Sequence, residues 1–393
     1  MTLPLRRIGI VADDFTGAMD SGAQFARSRL RVQLRIQGPP EDDVEIINTA
    51  SREAAAGDAA DRVRAACRAL NGRQLFKKID STMRGHVAVE IHAALAASGL
   101  VKAVICPATP LQGRTVRDGM LFVRGIPLAE TAFKDDPMYP AHTSRLDRLL
   151  GRPAVRLSLD VVRGSFNRLT ASILHASTPL VTAEAETAHD LLALARAILA
   201  TGALPCGAFG LAGSLLQAMD VPISEADTLA LPRRALVVVG SANLTARQQV
   251  HRLTNHLQCQ VWRLPASAQL DRTILNSITL SNEKPVVVVC ADQDEIIRTP
   301  EWLNFGSSIS RLAVDLLQSL EPEMVLVVGG ETVAAFCDLA AVRSIRVLGE
   351  VLPGVPFGQV QGGKLHQKII ITMSGGFGYP DTLQKILFPE EGL

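Results

Sequence analysis

An alternation limits what this chain can fold into more than any other feature. Short runs rich in Val and Ile are followed repeatedly by stretches whose apolar residues recur at helical spacing. The pairs are 8–12 before 16–27, 44–49 before 58–70, 75–79 before 85–97, then 103–106, 155–159 before 166–175, and 180–183 before 188–200. Strands that feed helices returning to a parallel neighbour read this way, so the sequence predicts α/β architecture with largely parallel sheets. The pattern pauses at 219–234, where Pro222 and Pro232 punctuate a stretch of little periodicity. It restarts with 235–239 before 246–257, 285–291 before 308–320, and 324–328. At about 100 to 200 residues per core, a chain of 393 residues has room for more than one. Two α/β domains are expected, 1–225 and 235–393, joined by a linker at about 219–234 that could serve as a hinge.

Composition narrows the partners. Lys and Arg number 40 against 39 Asp and Glu, a net charge of +1, so no general attraction to nucleic acid or anionic lipid is expected, and only a local cationic pocket stays open. A membrane span needs roughly 20 apolar residues, and the longest apolar runs, such as 235–239 and 286–290, are far shorter. The run at 8–11 is too short for a signal peptide. Six cysteines lie far apart without a CxxC pair, which points to buried free thiols and a cytoplasmic location.

Polar residues gather directly after the N-terminal strands, where open α/β sheets bind their ligands. Asp13-Asp14-Phe15-Thr16-Gly17 sets two adjacent carboxylates between a strand and a helix start. One suffices as a helix cap, which leaves a role for the other. Asn48-Thr49-Ala50-Ser51-Arg52 delivers Arg52 into a loop, where a solvated arginine is the plainer meaning. Lys77-Lys78-Ile79-Asp80-Ser81-Thr82-Met83-Arg84-Gly85-His86 concentrates lysine, carboxylate, hydroxyls and arginine at one strand-to-helix turn. A guanidinium fork beside hydroxyls and helix-start N–H groups suits a carboxylate ligand; a capped turn with surface charges is the alternative. A fourth loop, 107–114, leaves Arg114 open between ligand contact and scaffold.

In the second half the candidates are Gly240-Ser241-Ala242-Asn243, Gly329-Gly330-Glu331-Thr332 and Ser374-Gly375-Gly376-Phe377-Gly378, each after an apolar strand. Glycine there lets backbone N–H groups approach a phosphate. Pro353-Gly354-Val355-Pro356-Phe357-Gly358 reads as a further loop. Neither GxxxxGK[ST] nor a strand-borne GxGxxG is present, and the histidine spacings fit no HExxH zinc site.

Together these strings resemble the four-carbon acid sugar kinases: Asp13 to Ala18, Lys77 to Gly85, Gly330-Glu331-Thr332, Pro353 to Pro356 and Ser374 to Gly378 follow the family's order across nearly the whole chain. The resemblance implies a two-domain enzyme with its active site in the cleft between the domains. Such an enzyme uses ATP, with Mg²⁺, to phosphorylate the 4-hydroxyl of threonate, erythronate or 3-oxo-tetronate. The acid belongs to the N-terminal domain and the nucleotide to the C-terminal one. Residue by residue, it implies acid contacts at Asp13 or Asp14, Arg52, Ser81, Thr82, Met83 and Arg84. It implies ATP contacts at Ser241, Gly329, Gly330, Glu331, Thr332 and Gly375, and names no Mg²⁺ ligands. The family commonly has lysine where this chain has Met373. Compensating charge from Lys364, Lys368 or Mg²⁺ is expected, against an inward-packed Met373 as the alternative.

Phosphoryl transfer rests on positioning and charge neutralisation. Asp14 is therefore expected to act as base or hydroxyl-orienting carboxylate, with Asp13 and Asp80 as rivals and Arg84 and Arg52 as carboxylate anchors. D-threonate is the expected substrate, with D-erythronate and 3-oxo-tetronate as alternatives. A sugar-acid dehydrogenase, opposed by the missing GxGxxG, and a non-catalytic ligand sensor are the rivals from other classes. The oligomeric state is open.

Overall fold

Strand β1 (Ile8–Ala12) is buried at every residue, as a strand flanked on both sides and covered on both faces must be. The structure is a computed structural model that describes residues 7–136, 139–223, 231–265, 277–292 and 305–389. Positions 224–230 of the expected linker lie outside them. The chain divides into two units, Met1–Glu225 and Ala226–Leu393.

In the first unit the strand order is β2 (Val32–Arg35), β3 (Val44–Asn48), β1, β4 (Gln74–Lys78), β11 (Leu204–Gly207), β5 (Ala103–Cys106), β10 (Leu180–Ala183) and β9 (Val155–Leu157). Every pairing is parallel. The helices are α1 (Phe15–Ala26), α2 (Ala56–Ala69), α3 (Val87–Ser98), α4 (Leu146–Leu150), α5 (Leu159–Val162), α6 (Phe166–Leu174), α7 (Ala188–Thr201) and α8 (Phe209–Ala218). A small antiparallel sheet, β6 (Arg114–Arg117), β7 (Met120–Val123) and β8 (Ile126–Pro127), follows the loop after β5. From β1 the chain builds β2 and β3 on one side and then crosses to β4 on the other. That reversal opens a crevice at the carboxyl ends of β1 and β4.

The second unit repeats the device. Its order is β13 (Cys259–Leu264), β14 (Val286–Ala291), β12 (Ala235–Val239), β15 (Met324–Val328), β18 (Ile369–Met373), β17 (Val355–Gln361) and β16 (Ser344–Leu352), with helices α9 (Leu244–Thr254), α10 (Phe305–Leu320), α11 (Gly330–Leu339) and α12 (Thr382–Leu387). The strand order reverses between β12 and β15. The pairs from β13 through β18 are parallel, whereas β16 with β17 and β17 with β18 are antiparallel. This corrects one expectation. Only Pro353-Gly354 turns, and Val355 onward is strand, because a two-residue turn suffices to reverse an antiparallel pair.

The six cysteines are free and buried, and burial pushes the Cys67 and Cys290 thiols up to about 11. Among the described residues no helix is long and apolar enough to cross a membrane.

Candidate active site

The β-sheet register of the first unit puts three loops side by side: Ala12 pairs with Asn48 on one strand and Lys78 on the other. The residues that follow form one charge cluster. Arg52 Nε donates to Asp13 Oδ2 at 2.7 Å, and its Nη2 lies 2.8 Å from Asp14 Oδ1 and 3.7 Å from Asp80 Oδ1. Arg84 grips Asp80 with both arms of its fork, Nε to Oδ2 at 3.0 Å and Nη2 to Oδ1 at 2.9 Å.

Asp80 organises the turn that follows β4. Its carboxylate also accepts from the Thr82 hydroxyl and from the backbone N–H groups of Thr82 and Arg84. So held, Met83 sits in the left-handed region at φ 65°, a conformation that costs a non-glycine residue about 1 to 2 kcal/mol and persists only where its surroundings enforce it. Burial alone would raise the Asp80 pKa. Arg84 and Arg52 outweigh it and hold the carboxyl well below its ordinary value.

Asp14 is the N-cap of α1: its Oδ1 accepts from Gly17 N–H at 3.0 Å and its Oδ2 from the Thr16 hydroxyl at 2.6 Å. Gly17 is needed there, since a Cβ would lie 2.4 Å from Asp14 Oδ1 and 2.5 Å from Lys78 Nζ. Burial opposes ionisation of Asp14, and Arg52 and Lys78 overcome it, so its pKa is lowered. Burial likewise opposes the charge on Lys78, and Asp20, Asp14 and Asp13 outweigh it and raise the pKa. Asp13 differs from both. It is 3% exposed, and its Oδ1 is buried without a hydrogen-bond partner.

Beneath this layer lies a second one. Lys77 Nζ and Glu90 Oε2 are 2.7 Å apart with side chains only 1% and 2% exposed. Glu90 Oε1 accepts from Ser51 Oγ, itself 2.7 Å from Thr49 Oγ1, which donates to Ala12 O. Lys77 Nζ also donates to Lys78 O. The chain links α3, β4 and the loop that carries Arg52.

The second unit builds its candidate site with less side chain. Val239 pairs with Val328, and Val328 with Met373, so the loops at Gly240, Gly329 and Ser374 emerge together. They pack so closely that a Cβ on Gly240 would lie 2.1 Å from Thr332 Oγ1, and one on Gly375 would lie 1.8 Å from Ser241 Oγ. Asn243 caps α9 through Thr245 N–H. The N-cap of α11 is Gly329, which has no side chain to cap with, so the first-turn N–H groups of α11 are left to other acceptors.

The structure thus gathers Asp13, Asp14, Arg52, Asp80, Thr82, Met83 and Arg84 at one crevice of the first unit, with Ser81 half-buried in the same turn. It gathers Ser241, Gly329, Gly330, Thr332 and Gly375 at the other, Glu331 being exposed beside them. Arg52 and Arg84 are not free forks, because aspartates already occupy them. Met373 is 1% exposed within the core that includes Val239, Val328 and Leu383, so methionine fills space there. Nor do the lysines compensate. Lys368 precedes β18 and Met373 ends it, a separation of roughly 16 Å at about 3.3 Å per residue, and the Lys364 N–H donates to Ala340 O just past α11. Sequence reasoning quoted Lys78, Thr49 and Ser51 within their strings without a role of their own and passed over Glu90, whose signal was a lone carboxylate in the largely apolar α3.

Two crevices, one charged and one glycine-lined, each at the strand reversal of its own unit, define a class of protein that handles two ligands. A family model described as "Sugar-binding N-terminal domain" matches residues 8–215, and one described as "Nucleotide-binding C-terminal domain" matches 236–383. The chain is 34% identical to a D-threonate kinase of Bordetella bronchiseptica, over 96% of this chain and 95% of that one. It is 29% identical to a D-threonate kinase of Salmonella typhimurium, over 96% and 97%. A crystal structure of a Salmonella typhimurium protein shares the fold, with a TM-score of 0.80 at 21% identity, covering 97% of this chain and 99% of that one. The chain belongs to the four-carbon acid sugar kinase family.

Proposed function

We propose that this protein transfers the γ-phosphoryl group of ATP to the 4-hydroxyl of D-threonate, with the acid held by the first unit and the nucleotide by the second. The observation that carries the reading is Asp13. Its Oδ2 is fixed by Arg52 while its Oδ1 is a buried acceptor without a partner, at a cost of about 1 to 3 kcal/mol that a substrate hydroxyl would recover. Asp13 is accordingly the hydroxyl-orienting base. Asp14, with both oxygens engaged at the start of α1, aims Arg52, and Asp80 shapes the turn from Ser81 to Arg84.

The uncapped start of α11 and the loops at Ser241 and Gly375 suit an anion, because helix N-termini and exposed backbone N–H groups complement negative charge. ATP supplies the transferable phosphoryl group. The Mg²⁺ that accompanies ATP would keep phosphate oxygens and water as most of its ligands; among the described residues no group of three or more His, Cys, Asp and Glu side chains is placed to hold a metal ion. A reaction that consumes ATP fits a cytoplasmic protein.

D-erythronate and 3-oxo-tetronate differ from D-threonate at a single carbon and remain the alternative substrates. ADP release across four-carbon sugar acids, with the product's phosphate position read by phosphorus NMR, tests the proposal. Fastest turnover of D-threonate with a 4-phosphate product is expected. No turnover of any acid would overturn it.

A further inference from the structure

Most cations of the first crevice already have a counter-charge. Arg52 faces Asp13 and Asp14, and Arg84 faces Asp80. Arg114 stands apart, since among the described residues no carboxylate forms an ion pair with it. Its Nη1 donates to Gln112 O at 2.8 Å, and its Nε is buried without a partner.

Its backbone is fixed independently of the side chain. Thr109 N–H donates to Arg114 O at 2.9 Å, and Arg114 N–H donates to Thr109 O at 3.2 Å. Residues that exchange both bonds across an antiparallel bridge present their side chains on one face. On that face Thr109, 1% exposed, carries a second buried orphan, Oγ1. Two orphaned polar atoms, one from a guanidinium, thus share a bridge at the carboxyl end of β5. Burial depresses the Arg114 pKa; Asp80 opposes this, while Arg124 and Arg84 add to it. A guanidinium stays charged regardless, so the local balance favours an incoming anion.

We infer that Arg114, assisted by the Thr109 hydroxyl, receives the carboxylate of the sugar acid. The inference rests on the sugar-acid reading of the first crevice and sharpens it. Arg52 and Arg84 serve chiefly to hold Asp13, Asp14 and Asp80 in place, and the charge that selects an acid over a neutral sugar is Arg114. No group is transferred to Arg114, so its effect falls on binding and specificity.

The test compares the sugar acid with its uncharged amide, which keeps every hydroxyl. In the wild type the amide should be the poorer substrate by about 10- to 100-fold in kcat/KM, the range expected for losing a hydrogen-bonded charge contact. Arg114→Gln should raise KM for the acid by a similar factor, leave KM for ATP within about twofold, and collapse the acid-to-amide ratio toward one. Arg114→Lys should recover part of the ratio, since lysine restores charge without the fork. A ratio unchanged in Arg114→Gln, with the wild type active on the acid, would overturn the inference and leave the kinase reading intact. Wild type inactive on every acid would overturn both. Should Arg114→Gln lose thermal stability, Arg114→Lys alone decides: an unaltered ratio there with wild-type stability counts against the inference.

Discussion

The two crevices occupy equivalent places in their units, the point where strand order reverses, yet they are built on opposite principles. The first is crowded with side chains of opposite charge: Asp13, Asp14 and Asp80 against Arg52, Arg84 and Lys78. The second gains its shape by omitting side chains, at Gly240, Gly329 and Gly375, so that loop backbones and the start of α11 are brought together. A small chiral acid offers several directional groups, and only side chains can discriminate among them. A polyphosphate is largely a repeated anion, which backbone N–H groups and helix ends recognise without side chains. Substrate choice is therefore written in the first crevice, and sensitivity to any added atom in the second.

The sharpest way to break this comparison is Asp13→Asn. If the unpartnered Oδ1 of Asp13 is the base, kcat should fall by about 10²- to 10⁴-fold, with ATP affinity measured by calorimetry unchanged. Near wild-type kcat in a folded variant would move the role to another carboxylate.

Asp80→Asn should act on stability first. It takes the bidentate partner from half-buried Arg84 and one of three carboxylates from around Arg52, and losing hydrogen bonds to a charged group costs about 1.5 to 3 kcal/mol, visible as a lower urea midpoint. The same carboxyl sets an acid limit. Because its folded pKa is depressed, its contribution is complete above the unfolded value of about 3.9 and is lost as pH falls through the lower, folded value. Acid unfolding of Asp80→Asn should accordingly be flatter than that of the wild type below pH ~4.

Gly375→Ala examines the other half. The new methyl meets Ser241 Oγ, and overpacking of this kind costs about 1 to 3 kcal/mol. The loss should appear as roughly 10-fold or more in ATP KM, with the KM for the acid unmoved. A matching rise in both would show that the glycine loops serve the whole fold rather than one ligand.

Asp14→Asn is the mildest. Asparagine still caps α1, as Asn and Asp rank alike at that position, while Arg52 and Lys78 lose a counter-charge, so Tm should fall but kcat should fall much less than in Asp13→Asn. A collapse of kcat as deep as that of Asp13→Asn would restore Asp14 as the base.

The comparison also explains what the sequence could reveal. Every N-terminal strand that precedes a polar cluster was legible from its apolar run, because parallel strands covered on both faces leave little room for polar residues. The clusters were legible too, as composition at strand ends. Their pairings were not, since Asp13 and Arg52 meet across 39 residues of sequence and nothing local states which carboxylate will occupy which fork. For the same reason Asp14, legible as a cap, looked equally fit as a base, and only the engagement of both its oxygens separates it from Asp13. Met373 misled in another way. It stands beside a glycine loop, but the alternation of β18 turns its side chain into the core. Strands β2, β11 and β13 went unread: β2 carries Gln and Arg, β11 carries Pro and Gly, and β13 mixes Gln, Trp and Arg into its apolar run.

The buried chain from Lys77 through Glu90 and Ser51 to Thr49 has a consequence for how the first unit opens. It joins α3, β4 and the Arg52 loop by contacts that exclude water, so releasing any one of them strands an uncompensated charge or hydroxyl. Local opening in proteins proceeds by cooperative blocks, and these three segments should form one. In native-state hydrogen exchange, the amides of Ser51 and Arg52, both donating to Asp13 O, should exchange with the same opening free energy as the middle of α3. A loop on the protein surface would thereby have the lifetime of a core helix, and substrate would meet a site that is already formed when it arrives.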